Sequence, residues 1–323
     1  MISLVTGATG FVGSHLIDYL LAQDKGEVFA LVRNPAKTSW LKARPNFHIL
    51  LGDLQSLPPL PSNLEVVFHL AGLTKATKPD DYYTVNWLGT ASLLENLTRK
   101  NLQPKFIQLS SLAAGRPAIN GQPVKEEEPP SPASPYGRSK LLAEQEVLKY
   151  KDKMPVVILR AAAIYGPRDK DFLQFFQLVN RGWLLTFSQK IVMSLCYVND
   201  LIQAIRLCTV TPTKSGEIYN VADPVPRTWE DLGEEAARLL GRKIKKIKIP
   251  LSIVKTAAGL SELSSRITGK ASPINLSKYR DMEKLSWVAD TTKIKQELGF
   301  ETRWPFEQGL KETLIWYQEN GWL

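Results

Sequence analysis

Three side chains in this sequence could together move a proton, provided that the fold brings them together. Tyr136 and Lys140 are four residues apart, so a helix through them would place the phenol and the ammonium group on one face, one turn apart. Ser111 follows the apolar run KFIQL (105–109), a predicted strand, and precedes Tyr136 by twenty-five residues. Tyr and Lys are among the side chains that enzymes use as general acids and bases. The Tyr-x-x-x-Lys spacing is common by chance, so its value depends on the elements that position it.

The first twenty residues, MISLVTGATGFVGSHLIDYL, predict a strand, a tight turn and a helix. The apolar run breaks at Gly7, and from Phe11 apolar residues recur at helical spacing. Gly7 allows the sharp turn, Gly10 lets the backbone approach a pyrophosphate, and Gly13 lets the helix pack close to the strand. The free N–H groups of the helix N-terminus attract the same anion. The spacing G-x-x-G-x-x-G therefore predicts a dinucleotide site, and an ordinary strand–helix turn is the alternative.

The apolar patterns that follow predict an α/β fold, a Rossmann-type doubly wound parallel sheet with a smaller C-terminal substrate-binding domain. Further strands are predicted over 27–32, 47–51 and 65–70, and a long helix over 80–99. Residues 1–165, with 191–222 returning to them, are assigned to the NAD(P)-binding domain. Residues 166–190 and 223–323 are assigned mostly to the substrate-binding domain.

The end of the second strand bears on the choice of dinucleotide. An NAD site usually has a carboxylate here to hold the ribose 2′-OH, but the sequence reads Val32-Arg33-Asn34. Arg33 could instead pair with a 2′-phosphate, so NADP is favoured, with NAD as the alternative. The less favoured alternative is that Arg33 is only a solvated loop residue.

Composition excludes several classes of function. Two cysteines, Cys196 and Cys208, are too few for a disulfide framework or a zinc site, and the three histidines form no cluster, so no metal is expected. No apolar run is long enough to span a bilayer, and the N-terminal strand does not resemble a signal peptide. The cytoplasm is the expected compartment.

The net charge of +9 is interpreted mainly as a solvated basic surface, and alternatively as attraction for an anionic cofactor or substrate. The run RKIKKIK (242–248) predicts an edge strand protected by lysines. It lacks the interleaved aromatic residues of a nucleic-acid platform, so nucleic-acid binding is not expected.

Several motifs now occur in one order. These are the glycine loop, Asp53, HLAG (69–72), VNWLGT (85–90), LSS (109–111) and YGRSK (136–140). In this order they resemble the extended short-chain dehydrogenase/reductase family, also called NAD-dependent epimerase/dehydratases, nearest to its dihydroflavonol reductase and 3β-hydroxysteroid dehydrogenase-like branch. The resemblance continues through 159–167, 197–200, 219–221 and 290–300 to a last helix over 307–317. Only 251–284 matches nothing in the family.

The resemblance implies a Ser-Tyr-Lys triad. Tyr136 would exchange a proton with the substrate oxygen, and Lys140 with the positive nicotinamide would lower the pKa of the phenol from about 10. Lys140 would also hold the nicotinamide ribose. Ser111, preferred to Ser110 by its spacing, would hydrogen-bond the reacting oxygen while hydride passes between substrate carbon and nicotinamide.

Further residues take roles from the same resemblance. Asn86 would help to order the active site, and His69 would be structural. The cofactor-binding residues would be Gly7, Thr9, Gly10, Phe11, Val12, Gly13, Arg33, Asp53, Leu54, Leu70, Ala71, Gly72, Tyr136 and Lys140, with Asp53 contacting the adenine.

Departures from the family pattern narrow the activity. Sugar-nucleotide dehydratases have an acidic pair after the catalytic hydroxyl residue, but Leu112 and Ala113 occupy these positions. Epimerases that act on UDP-hexoses have an Asn in a stretch that here reads RAAA (160–163), and VRNP (32–35) is similar to the reductase-like branch. Interconversion of a secondary alcohol and a ketone on a small-molecule substrate is therefore favoured. The alternatives are a nucleotide-sugar epimerase with tightly bound NAD and a non-catalytic redox sensor.

Three further expectations concern segments around the site. The loop 115–135 is interpreted as a substrate-side lid. The segment 250–269 is predicted to be an amphipathic helix that packs Ile253, Ala257, Leu260 and Leu263 over the pocket. A membrane-surface helix is the less favoured alternative, because the polar face is rich in Ser and only weakly basic. The family commonly forms a homodimer through the helices over 80–99 and 136–151, and Tyr82, Tyr83 and Trp87 would supply the contact area.

Overall fold

Fourteen strands are found in the part of the chain that the computed structural model describes, residues 1–23, 26–268, 275–284 and 286–323, of which 263–268 are described by backbone only. In chain order they are β1 Ser3–Thr6, β2 Val28–Val32, β3 Phe47–Leu51, β4 Val66–His69, β5 Lys105–Ser111, β6 Val156–Ala161, β7 Ala163–Tyr165, β8 Trp183–Phe187, β9 Val192–Met193, β10 Leu195–Tyr197, β11 Glu217–Val221, β12 Arg227–Thr228, β13 Lys245–Ile249 and β14 Ser286–Trp287.

A seven-stranded, fully parallel sheet forms the centre of the molecule, in the order β11-β6-β5-β4-β1-β2-β3. The chain starts in the middle, builds outward to β3, returns, and then builds outward to β11 on the other side. This reversal beside β1 is the doubly wound topology, which places a ligand crevice at the carboxyl ends of β1 and β4. The predicted Rossmann-type sheet is confirmed.

Helices cover both faces of this sheet. In chain order they are α1 Phe11–Ala22, α2 Pro79–Tyr82, α3 Gly89–Arg99, α4 Pro135–Leu148, α5 Leu173–Asn180, α6 Val198–Val210, α7 Trp229–Leu239, α8 Leu251–Thr268, α9 Leu276–Glu283, α10 Thr292–Leu298 and α11 Phe306–Glu319. A π-helical segment, Tyr83–Leu88, joins α2 to α3, so the predicted helix over 80–99 is continuous but changes its hydrogen-bond register in the middle.

Alternate residues of the sheet strands feed two apolar layers. One layer contains side chains of α1, α6 and α10 against one face, and the other contains side chains of α3 and α4 against the opposite face. Within β1, Val5 belongs to the first layer and Leu4 to the second, as the two-residue period of a strand requires. Each fully buried aliphatic side chain contributes about 1.5–3 kcal/mol relative to an exposed one.

A third apolar core lies beyond the sheet and joins α5, α7 and α11 to β7 and β10. The aromatic residues of the predicted substrate region fall mainly into it, with Phe175 and Phe176 buried. The segment 289–300 packs instead on the first layer of the main sheet, although it lies inside the range 223–323 that the sequence assigned mostly to the substrate-binding domain.

The prediction for the helix over 250–269 is wrong in its orientation. The helix forms as α8, but Ile253, Ala257 and Leu260 face solvent, whereas Ala258 is fully buried among the side chains described for 251–262. The reason is that α8 packs against α9 through the opposite side of its circumference. The Leu263 side chain and Gly269, which belonged to the same prediction, lie outside the described residues.

Candidate active site

The turn between β1 and α1 has no room for side chains. Gly7 has a φ of +71°, and a Cβ atom on it would lie 2.7 Å from the Ala71 nitrogen. A Cβ atom on Gly13 would lie 2.1 Å from the Gly7 carbonyl oxygen, so α1 can approach the turn only with glycine there. Gly10 is the N-cap residue of α1, and among the described residues no side chain caps this end of the helix. The first N–H groups of α1 are thus left for a ligand, which is the arrangement that binds a pyrophosphate.

The residues after β2 and β3 line the neighbouring edge. Arg33 directly follows β2 and is exposed, where its guanidinium is accessible to an anion. The Asp53 carboxylate, after β3, accepts hydrogen bonds from the backbone N–H groups of Gln55 and Ser56, at 2.9 and 2.8 Å, which fixes this turn. The side chain of Leu54 is buried behind this turn. A Cβ atom on Gly89 of α3 would lie 2.8 Å from the Leu54 side chain, so α3 can pack this closely only with glycine at position 89.

The turn after β4 is held to β1 by His69. Its two ring nitrogens lie 2.8 Å from the hydroxyls of Thr6 and Thr90, and the Thr6 hydroxyl accepts the Ala71 N–H at 3.2 Å. Burial, with a smaller contribution from Lys140, lowers the pKa of His69 to about 3. A neutral, doubly hydrogen-bonded imidazole is structural, and it positions Leu70, Ala71 and Gly72 beside the glycine turn.

Asn86 connects this turn to the helix that contains Tyr136. It lies in the π-helical segment, accepts the Leu73 N–H at 2.7 Å, and donates to the Leu73 carbonyl and to the Ser139 hydroxyl at 3.2 and 2.9 Å. The Ser139 hydroxyl in turn donates to the Tyr136 carbonyl at 2.7 Å. Single π-helical turns are frequent at functional sites, because they redirect one side chain without ending the helix.

Ser110 and Ser111 point to different places. The Ser110 hydroxyl is buried and donates to Glu144 at 2.5 Å, so it is committed to the interior. Ser111 is hydrogen-bonded to the Tyr136 side chain, and its oxygen also accepts the Ala113 N–H at 3.2 Å. A Cβ atom on Gly137 would lie 2.2 Å from the Ala113 carbonyl, so glycine at this position lets α4 approach the end of β5. Ser111 and Tyr136 are thereby brought together.

Lys140 lies on the same face of α4 as Tyr136. Its ammonium donates to the Leu109 carbonyl at 2.7 Å, and a Cβ atom on Gly72 would lie 3.6 Å from it, which places the ammonium between β5 and the turn after β4. Burial lowers the pKa of Lys140 to about 8, while Glu144 opposes the fall. Burial also raises the pKa of Tyr136 to about 12, against the hydrogen bond with Ser111. The phenol is thus protonated at neutral pH in this structure.

A buried ion pair behind the triad was not predicted from the sequence. Arg160 on β6 donates hydrogen bonds from Nε and Nη2 to the Glu144 carboxylate of α4, at 3.0 and 2.7 Å. The side chains of Arg160 and Glu144 are 6% and 1% exposed. The sequence signal for this pair was Glu144 itself, a charged residue four positions after Lys140 and therefore one turn further along the same helix face.

The loop 115–135, interpreted as a lid, is attached to the far edge of the main sheet. Val124 pairs with Ala289, and the Glu126 carboxylate accepts the Asn220 N–H at 2.7 Å. Burial raises the pKa of Glu126. The Glu126 carbonyl also receives Arg160 Nη1 at 3.4 Å, so the loop is connected to the ion pair.

Residues from other segments surround the Tyr136 ring. Tyr82 is buried inside the chain, with its ring 5.9 Å from that of Tyr136, so the expectation that it supplies a dimer contact is wrong. The Ser134 hydroxyl, two residues before Tyr136, donates to the Asp281 carboxylate of α9 at 2.9 Å. Burial raises the pKa of Asp281 to about 7, against Ser134 and Lys278.

A second ionic cluster lies beside these groups. Asp171 pairs with Lys75, and the ammonium of Lys278 lies 3.5 Å from the same oxygen. Burial alone would raise the pKa of Asp171, but the two lysines hold it below its ordinary value. The charges of Asp171 and Asp281 both act on the Tyr136 phenol and raise its pKa further. The phenol thus faces polar groups from three segments.

No set of three or more His, Cys, Asp or Glu side chains within the described ranges could hold a metal ion. Likewise, no helix in those ranges is long and apolar enough to cross a membrane.

Comparison with known proteins agrees with this geometry. The profile of the NAD dependent epimerase/dehydratase family matches residues 3–222, from β1 to the residue after β11. The chain belongs to this family. It is therefore an enzyme-family member with a Rossmann fold, as the motifs predicted.

Individual members of the family differ in activity. A ceramide reductase of Caulobacter vibrioides is 30% identical over 99% of this chain and 95% of its own length. A UDP-glucose 4-epimerase of Vibrio cholerae is 27% identical over 96% of this chain and 93% of its own length. The UDP-glucuronic acid 4-epimerase of Bacillus cereus, solved with NAD, shares the fold with a TM-score of 0.78 and 24% identity, over 99% of each chain.

Proposed function

We propose that this protein is an NAD(P)-dependent oxidoreductase that interconverts a secondary alcohol and a ketone on a small-molecule substrate, with Ser111, Tyr136 and Lys140 as catalytic residues. The observation that supports this most is the geometry of the triad, in which Ser111 is followed directly by a 3₁₀ turn over Leu112–Ala114. Neither Leu112 nor Ala113 can act as an acid or base, so the two positions that directly follow Ser111 supply no acid–base pair. This arrangement serves alcohol–ketone chemistry and not dehydration.

The chain's residues divide the work as follows. In the direction of reduction the protonated Tyr136 phenol donates its proton to the carbonyl oxygen and becomes a phenolate, and in the direction of oxidation the phenolate accepts the proton of the alcohol. Ser111 holds the same oxygen through a hydrogen bond and stabilises the charge that develops on it. Lys140, with its ammonium between β5 and Gly72, would hold the nicotinamide ribose, and its positive charge favours the phenolate that remains after proton donation. When bound, the dinucleotide supplies or accepts the hydride.

The fit of the dinucleotide rests on the cradle around the glycine turn. Gly7, Thr9, Gly10, Phe11, Val12 and Gly13 would surround the pyrophosphate, Leu70, Ala71 and Gly72 the ribose, and Asp53 and Leu54 the adenine. The exposed Arg33 would pair with a 2′-phosphate, which makes NADP the preferred form and NAD the second. In the same assignment, residues 1–165 and 191–222 form the NAD(P)-binding domain, and 166–190 with 223–323 mostly form the substrate-binding domain.

A second candidate is a nucleotide-sugar epimerase with tightly bound NAD, and the similarity to the Vibrio cholerae enzyme favours it. Against it stands the stretch 161–163, where three alanines offer no side-chain hydrogen bond to a nucleotide phosphate. The 30% identity to a protein named as a reductase favours net redox chemistry.

We also propose a homodimer that pairs the helices around 79–99 and 135–148. Leu88, on the π-helical segment, is an exposed large apolar residue, and Tyr83 and Trp87 are half-buried beside it. These three side chains replace the contact first assigned to Tyr82.

The decisive experiment identifies the nucleotide in freshly purified protein and then titrates the protein with NADPH and NADH. The oxidoreductase proposal expects exchangeable binding that is tighter for NADPH, and Arg33→Ala is expected to remove this preference. Tyr136→Phe is expected to bind NADPH normally and to lose about 10²–10⁴-fold in turnover on a screen of ketones. Tyr82→Phe is the matched control and should retain activity. A tightly held NAD that does not exchange would replace the proposal with the epimerase.

A further inference from the structure

An apolar stripe on α8 faces solvent. Ile253 and Leu260 are 58% and 66% exposed, and Ala257 lies exposed between them on the same side of the helix. The opposite side, with the buried Ala258, is the one that packs within the chain. Burial of large aliphatic side chains is favourable, so an exposed stripe of them indicates a surface that binds a partner.

The strand that precedes α8 adds a second exposed apolar surface. β13 pairs in parallel with β8 and is an edge strand, with Lys245 opposite Trp183 and Ile247 opposite Leu185. Because side chains two residues apart share a face of a strand, Lys245, Ile247 and Trp183 all project from one face. Trp183 and Ile247 are each 41% exposed, and the Lys245 ammonium lies 5.9 Å from the Trp183 ring centroid.

The positive charge of the protein is concentrated in the same segment. Residues 242–260 contain six Lys and Arg residues and no Asp or Glu, so they contribute six of the nine net positive charges. All six side chains are exposed, and among the described residues only Lys246 forms an ion pair, with Glu234. The rest of the chain, with 35 basic and 32 acidic residues, is close to neutral. We call residues 242–260 together with Trp183 the basic–apolar surface.

The positive charge and the exposed apolar side chains of the basic–apolar surface together indicate what kind of partner it binds. Exposed aliphatic side chains and a Trp beside lysines are what segments that lie in a membrane interface present, with the apolar groups entering the acyl boundary and the lysines remaining at the headgroups. A nucleic acid would require stacking aromatics in place of an aliphatic stripe. We propose that the basic–apolar surface docks this protein onto membranes that contain anionic phospholipid. The proposal goes beyond the oxidoreductase function and holds whichever reaction the active site performs.

The test is co-sedimentation of the full chain with vesicles, either of phosphatidylcholine alone or of equal parts phosphatidylcholine and phosphatidylserine. Binding is expected only to the anionic vesicles and should weaken with added salt. Each lysine near an anionic surface is worth about fivefold in partitioning, so the Lys243→Gln, Lys245→Gln and Lys248→Gln triple variant should bind on the order of a hundredfold more weakly.

The control triple variant removes the same charge elsewhere, at the exposed residues Lys100, Lys214 and Lys311, and should bind within about threefold of the parent protein. Ile253→Ser with Leu260→Ser keeps the charge and should lose at least about tenfold, since each buried CH₂ contributes to insertion. Circular dichroism and thermal unfolding verify that each variant is folded.

Three results would overturn the proposal. One is equal binding to both vesicle types or to neither, and another is an equal loss in both lysine triple variants. The third is evidence for a different partner in the absence of vesicle binding. That evidence would be RNA binding that the serine double variant retains, or a dimer of the parent protein that is lost in this variant by analytical ultracentrifugation.

Discussion

The Glu144–Arg160 pair provides a strong test of how this active site is supported. Glu144→Leu leaves the Arg160 guanidinium buried without a counter-charge, and it also removes the acceptor of the Ser110 hydroxyl. Breaking a buried ion pair from one side costs about 3–5 kcal/mol, a large part of the total stability of an ordinary domain. Because unfolding entropy is about 2 cal/mol/K per residue, a chain of 323 residues should lose about 6 °C in Tm for ~4 kcal/mol.

The assay is thermal and urea unfolding of a double-mutant cycle with Glu144→Leu, Arg160→Met and both together. The double variant should be more stable than either single variant, since apolar replacement of a whole buried pair is often neutral. Glu95→Leu is the control because its pair with Arg99 is exposed, and it should cost under about 1 kcal/mol. A cost for Glu144→Leu no larger than that of the control, or strictly additive losses, would refute the argument.

Three further predictions concern the glycine turn and titrating groups. Gly13→Ala places a methyl group 2.1 Å from the Gly7 carbonyl, so it should destabilise the protein by about 1–3 kcal/mol and weaken NADPH binding in a fluorescence titration. Gly259→Ala, whose Cβ atom meets no atom within 4 Å, should do neither. The pH profile of kcat/KM for reduction should fall above about pH 8, because the buried Lys140 ammonium loses its proton there, and a flat profile to pH 10 would contradict this. Asp281 has a folded pKa of about 7 against an ordinary 3.8, so its ionisation costs stability progressively as pH rises through this range. Asp281→Asn should therefore raise Tm more at pH 8 than at pH 4, and an equal shift at both would show that the carboxyl does not titrate as stated.

Local patterns predicted the parts of the site that depend on short stretches of chain. The glycine turn, the strand ends and the Tyr136–Lys140 spacing each require only a few consecutive residues in one geometry. The topology followed from them, since alternating strands and helices permit few arrangements.

Features that depend on tertiary packing could not be read in the same way. α8 has apolar residues on more than one side, and only its contact with α9 selects the side with Ala258. Tyr82 precedes a change of helical register, which apolar spacing does not encode. The Arg160–Glu144 pair joins β6 to α4, and nothing in either local stretch specifies the other.

The π-helical segment Tyr83–Leu88 has a consequence for how this helix tolerates length changes. A π turn accommodates one residue more than an α turn would, so deleting one residue of this segment other than Asn86 would allow an uninterrupted α-helix from 79 to 99. The α-helical turns on either side would keep their faces, because the π turn absorbs the extra residue, but Asn86 would rotate around the helix axis. The helix would become more regular and the buried leucines of α3 would stay in their layer, yet Asn86 would leave Leu73. A one-residue deletion in this segment therefore changes the helix register, and only the present π-helical register lets the Asn86 amide reach both Leu73 and Ser139.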